Sequence, residues 1–355
     1  MPFHWFLPTA GDSRDIVSGG QARLTADTSR PPELGYLALV ARAAERAGFE
    51  AVLTPTGTFC EDAWLTTAAL IGETSRLKFL VAFRPGLLSP TLAAQMAATY
   101  QRISGGRLAL NVVTGGEADE QRRFGDHLPH DQRYQRTAEF LQVVRGAWSG
   151  TPYTYRGEFF DVESATVRAA PDPVPPIFFG GSSAAALPVA AHHADTYLTW
   201  GEPPAAVAAK LDAVRTLAKE AGRQLTYGIR LHVIARDTAD EAWRVARGLL
   251  DRVPAAEIEA ARARFARTES EGQRRMAELS AGDSLEVSPN LWAGFGVVRP
   301  GAGTALVGSH AEVAARIAEY RAIGIDHFIL SGQPHLEEAL NVGENVLPLL
   351  TSGES

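Results

Sequence analysis

Short apolar runs alternate with longer amphipathic stretches along most of this chain. The runs occupy residues 4–9, 51–56, 77–83, 108–113, 176–181, 196–200, 227–235 and 326–331. Each is bounded by glycine, proline or polar residues, and each reads as a strand. The stretches between them, at 34–47, 91–103, 134–148, 205–221, 239–250 and 311–323, read as helices. Continuously apolar strands alternating with helices predict a parallel sheet covered by those helices. Eight such strands in 355 residues predict an α/β protein of the closed (β/α)8 TIM-barrel type rather than an open sheet. The barrel is expected to be one domain spanning residues 1–355, with no second hydrophobic core.

Two segments interrupt the alternation. Residues 150–168 include Thr154-Tyr155-Arg156-Gly157-Glu158-Phe159-Phe160-Asp161-Val162. They predict a hairpin on the outside of the barrel, turning near Arg156-Gly157. Residues 253–304 lie between the seventh and eighth strands. They carry Arg262, Arg264, Arg267, Arg274 and Arg275 and then become rich in glycine and proline. An insertion this long on a barrel reads as an active-site lid, or for its helical part equally as an oligomer contact.

Composition narrows the partners. The net charge is −7 and there is no long basic run, which argues against nucleic acid or an anionic membrane. Cys60 is the single cysteine, so no intrachain disulfide is expected. The first residues, Met1-Pro2-Phe3-His4-Trp5-Phe6-Leu7-Pro8, lack the marks of a signal peptide. No apolar run reaches the roughly 18 residues of a membrane span. Together these predict a cytoplasmic protein.

In such a barrel the chemistry belongs at the C-terminal ends of the strands. Here those ends carry Pro8–Asp12, Pro55–Trp64, Phe83-Arg84-Pro85, Asn111–Gly116, Gly180–Ser183, Thr199–Glu202, Arg230 with His232, and Ser331–His335. Arg230 and His232 are two apart in an apolar strand, so both point the same way. A guanidinium and an imidazole are costly to bury, which suits an anion or a proton transfer. A structural Arg–carboxylate pair with a satisfied histidine fits equally well. Gly180-Gly181-Ser182-Ser183 opens a helix, where free N–H groups and hydroxyls favour phosphate. A simple serine cap is the alternative. His127, His130, His192 and His193 lack metal-ligand spacing, so no metal is expected. Cys60 reads as a half-buried thiol lining a pocket.

These residues also carry a resemblance. The blocks are Trp5–Thr9, Pro55-Thr56-Gly57 with Cys60–Trp64, Leu77–Ala82, Phe179–Ser183, Tyr197–Pro204, the strand 228–234, Ser288–Gly294, Gly301–Gly308 and Pro334–Glu338. They resemble the FMNH2-dependent alkanesulfonate monooxygenases of the bacterial luciferase-like superfamily, over nearly the whole chain. The resemblance implies a luciferase-like barrel with a mobile lid between strands seven and eight. It implies cleavage of a C–S bond with reduced FMN and O2, giving an aldehyde and sulfite. It further implies a separate NAD(P)H-dependent flavin reductase as partner and a homo-oligomer, dimer or tetramer.

By the same resemblance Arg230 and Arg299 hold the sulfonate and the oxygenated flavin, and His232 transfers a proton. Cys60 and His335 count with them as catalytic residues and Trp200 belongs to the substrate pocket, while Asn111, Tyr134, Gly181, Ser182 and Ser183 contact the flavin and its phosphate. Cationic neighbours are expected to keep His232 neutral, and the lid around 267–290 to exclude water. Two positions depart from the family pattern: Ala10 stands where the family has histidine, and Gln333 where it has tyrosine. Both losses remove polar groups from the substrate pocket. A sulfo-sugar or a sulfone is therefore an alternative substrate on the same chemistry. A deazaflavin dehydrogenase and a flavin-binding protein without turnover are the more distant readings.

Overall fold

The computed structural model describes residues 1–16 and 29–351. Eight parallel strands close on themselves: β1 (Phe3–Phe6), β2 (Ala51–Thr54), β3 (Lys78–Phe83), β4 (Leu108–Val112), β5 (Ile177–Gly180), β6 (Thr196–Trp200), β7 (Thr226–Arg236) and β8 (His327–Ser331). Neighbours around the ring follow chain order, and β8 returns to β1. The fold is the (β/α)8 barrel that the alternation predicts, and each predicted run holds one of these strands. The first strand stops at Phe6, short of Thr9, because the chain turns: the Thr9 N–H bonds the Leu7 carbonyl and the Gly11 N–H bonds that of Pro8.

Inside the ring, Leu53, Leu80, Ala109, Phe178 and Ile329 pack with Phe6 and Leu198 into an apolar floor. Side chains alternate faces along a strand. The inward face that carries Ala109 and Leu198 therefore carries Asn111 and Trp200 one step further on. Register places Gly228 beside Leu198 and Ser331 beside His232, so Arg230, His232 and Ser331 share that inward face. Outside the ring, Trp5, Phe79, Phe140, Phe179, Tyr197 and Phe328 are fully buried between strands and helices.

β7 is longer than its neighbours. Gly228–His232 pairs with β8, and His232–Arg236 pairs instead with the strand Ala305–Ser309. That strand bonds Leu291–Trp292, which in turn bonds Glu286–Ser288. A second buried apolar cluster forms here, including Ile16, Ile234, Leu249, Trp292, Phe295 and Val307. The expectation of a single core is corrected accordingly: this cluster's members are scattered from 16 to 307 and no local pattern gathers them. The segment 253–304 contains the helices Ala255–Phe265 and Glu271–Leu279, and the outer hairpin is Tyr153–Arg156 with Asp161–Ala165. The sequence reading missed short helices such as Ala63–Leu70 and Ala118–Arg123, which span too few turns to show periodicity. Among the described residues no helix is long and apolar enough to cross a membrane.

Candidate active site

The pair on β7 is brought together with the end of β8. Arg230 Nη2 donates to Ser331 Oγ at 2.8 Å, and the same oxygen lies 2.7 Å from His232 Nδ1. His232 Nε2 lies 3.0 Å from the Ala302 carbonyl. A carbonyl only accepts, so Nε2 carries the proton and Nδ1 accepts from the serine hydroxyl. Phe295 stacks on the ring at 4.0 Å. Burial, followed by the charges of Arg230 and Arg299, holds His232 well below its ordinary pKa. It is a neutral imidazole, as its cationic surroundings predict, and both of its nitrogens are engaged.

No carboxylate pairs with Arg230 among the described residues. Its other nitrogen donates to the Leu231 carbonyl at 2.6 Å, and its guanidinium lies over the Phe6 ring at 4.8 Å. Of the structural alternative, the described residues show the satisfied histidine but no carboxylate on Arg230. Burial and then repulsion from Arg299 pull Arg230 down to about 9. Arg299, from the insertion, is pulled down by burial to about 10 against the opposing effect of Asp12. Gln333 joins this group. Its amide oxygen accepts from Arg299 Nη1, and its nitrogen donates to the Asp15 carbonyl at 2.6 Å. Gln333 thus grips an arginine. Ala10 lies in the turn that follows β1.

His335 opens the helix His335–Asn345 after β8. Its Nδ1 is 2.8 Å from Asp12 Oδ1, and its backbone N–H donates to Asp12 Oδ2 at 2.7 Å. Burial raises the Asp12 carboxyl, but its interactions with His335 and the Tyr36 hydroxyl outweigh that and hold the group below the usual range. Sequence reasoning gave Asp12, Ser331, Phe295 and Ala302 no role. Asp12 and His335 are 323 positions apart, and no spacing rule connects them.

The opposite wall comes from the ends of β2 to β4. Buried Arg84 donates to Glu120 at 2.6 Å, and Glu120 accepts the Thr58 N–H at 3.0 Å. Cys60 is half-buried in the same loop, its sulfur 3.6 Å from the Gly57 carbonyl. Burial pushes its thiol up to about 11, so it is not a ready nucleophile. Alkylation by iodoacetamide should be slow at neutral pH, with a rate that climbs about tenfold per pH unit towards that value. Rapid labelling at pH 7 would contradict the assignment.

At the β5 end, Gly181 leaves no room for a side chain: a Cβ would sit 2.7 Å from Ala186 Cβ and 3.2 Å from Tyr134 Oη. Tyr134 is buried on the helix His130–Ala147. Tyr197 donates to the Gly181 carbonyl at 2.9 Å. Ser183 Oγ is buried beside the Tyr134 hydroxyl, and Ser182 lies beside Tyr197. This cradle of glycine and hydroxyls, just ahead of the helix Ala186–His193, has the donors that a flavin's phosphate requires. Asn111 faces inward beside it on β4, paired in register with Phe178. No group of three or more His, Cys, Asp or Glu among the described residues is placed to hold a metal.

The insertion lies across this mouth. Trp200 packs against Gly272, where a Cβ would sit 3.0 Å from the indole. Glu269 accepts from Arg133 at 2.7 Å, and Thr268 donates to Glu117 at 3.1 Å. Ser270 sits so close to Gly116 that a Cβ there would be 2.6 Å away.

The family model described as luciferase-like monooxygenase matches residues 1–327. Among solved structures, a riboflavin lyase determined with a modified FMN and riboflavin superposes with a TM-score of 0.82 at 20% identity, covering 99% of this chain and 92% of that one. The EDTA monooxygenase of Chelativorans sp. BNC1 gives 0.78 at 19% identity, covering 100% and 94%. A long-chain alkane monooxygenase gives 0.78 at 20%, covering 99% and 91%.

Proposed function

Because this chain belongs to the luciferase-like monooxygenase family, we propose that it is a flavin-dependent monooxygenase acting on an organosulfonate, releasing sulfite and an aldehyde. The observation that carries the substrate class is the pair Arg230 and Arg299. Both are cationic at neutral pH, both have their pKa lowered by burial, and neither forms an ion pair with a carboxylate among the described residues. A guanidinium taken out of water with only neutral hydrogen-bond partners, as Arg230 is among the described residues, is expensive, and an anion docking there reduces that expense. The planar forks suit an oxyanion with several oxygens.

The residues divide the work. Tyr134, Gly181, Ser182 and Ser183 would hold the FMN phosphate, with Asn111 towards the ring. Reduced FMN with O2, supplied by an NAD(P)H-dependent flavin reductase, provides the oxidation. Arg230 and Arg299 bind the sulfonate and orient its carbon over the site. His232 and Ser331 keep Arg230 in place, and Gln333 does the same for Arg299. Trp200 and the insertion keep water out. Ala10 and Gln333 shape the pocket that distinguishes a simple alkyl chain from a hydroxylated one. A homo-oligomer is part of the same reading. The test supplies FMN, a reductase, NADH and sulfonates graded in chain length and hydroxylation, and measures sulfite. Release is expected from at least one, and none from any would overturn the proposal.

A further inference from the structure

We propose that Asp12 and His335 form the proton-transfer unit of this site, with His335 Nε2 the atom that takes the proton and Asp12 the residue that positions the ring. The pair is buried, with side-chain exposures of 0% for Asp12 and 3% for His335. Asp12 Oδ1 faces His335 Nδ1 at 2.8 Å, and Oδ2 accepts the backbone N–H of the same residue at 2.7 Å. A carboxylate only accepts, so Nδ1 carries the proton, and the lone pair of the neutral ring lies on Nε2. No hydrogen bond occupies Nε2 among the described residues.

The carboxylate is itself fixed from behind. The Tyr36 hydroxyl donates to Asp12 Oδ2, and Arg30 donates to that hydroxyl at 3.2 Å while pairing with Glu337. A carboxylate bound in this way orients the ring and stabilises it once it is protonated. His335 and Arg230 share one platform: the Phe6 ring lies 5.8 Å from the imidazole centroid and 4.8 Å from the guanidinium carbon. An anion docked on Arg230 therefore borders the same ring as the His335 imidazole. His232 has no such opening, since Ser331 and Ala302 take both of its nitrogens.

For the reaction this assignment rests on the substrate class proposed above. Once the carbon bearing the sulfonate carries a hydroxyl from the flavin and O2, the O–H bond breaks and its proton passes to Nε2. The oxygen's electron pair closes the C=O bond, and the C–S pair leaves with sulfite. A neutral imidazole and a monoanion become an imidazolium, an aldehyde and a sulfite dianion.

The experiment joins a substrate-independent reading to a kinetic one. Nitrogen NMR of 15N-histidine-labelled protein, with His335→Gln assigning the signal, should show a protonated Nδ1 and a bare Nε2. Asp12→Asn should lose that signature. In the sulfite assay His335→Gln and Asp12→Asn should lower kcat by about 100-fold or more with KM changed far less, and Asp12→Glu should recover part of the loss. A proton on Nε2 in the wild-type protein, or wild-type kcat in His335→Gln, overturns the assignment. Should the wild-type protein release no sulfite, the substrate reading fails and the tautomer alone decides the pair.

Discussion

Arg230→Met should lose turnover by about 1,000-fold or more while leaving the protein at least as stable as before. The two halves of that expectation have one cause. Arg230 is 9% exposed and is pulled down to about 9 by burial and by Arg299. Its bonds go to a serine hydroxyl and a backbone carbonyl, not to a carboxylate. Replacing a buried charge with an apolar side chain of similar length is commonly neutral or stabilising by about 1–4 kcal/mol. Methionine also preserves the contact with Phe6. A residue kept for folding would behave in the opposite way, losing stability and sparing activity. Thermal unfolding and sulfite release on the same preparation distinguish the two. A lower Tm together with retained activity would make Arg230 structural and remove the main support for the anion site.

Arg133→Ala should uncouple oxidation from product formation. Arg133 is 2% exposed and sits outside the chemistry, but it joins three parts of the mouth. It donates to the Leu128 carbonyl at 2.7 Å, to the Gly115 carbonyl at 3.4 Å and to Glu269 at 2.7 Å. Glu269 belongs to the insertion, so this contact ties the insertion to the β4 end. Without it, the segment 268–270 is tied to the β4 end by Thr268 on Glu117 and by its packing on Gly116. Water then reaches the site and reduced flavin is spent on H2O2. Sulfite per NADH oxidised should fall by about fivefold or more, with H2O2 making up the difference. Glu269→Gln, at a more exposed position, should show a smaller shift in the same direction. An unchanged ratio in both variants would show that the insertion does not seal the site.

Much of the fold could be read from local pattern. The period-two alternation that places Arg230 and His232 on one face is a property of seven consecutive residues and survives any tertiary context. The strand ends likewise collected polar groups visibly, because apolar runs stop where the barrel stops. Boundaries shifted where turns intervened, as after Phe6. The inserted region was legible as an interruption but not as a sheet extension, since Ala305–Ser309 becomes a strand only by pairing with the far half of β7.

The sequence by itself determined the barrel, the inward Arg–His pair and the luciferase-like family, because each can be read from short stretches of adjacent residues. Tertiary structure alone decided what those residues meet. It left Arg230 without a carboxylate among the described residues, closed both nitrogens of His232, seated Gln333 on Arg299 and placed Asp12 against His335. The physical reason is that the barrel closes its first strand against its last. Groups hundreds of residues apart then share a few ångströms at one end, and their protonation and charge depend on those neighbours rather than on their own positions in the chain.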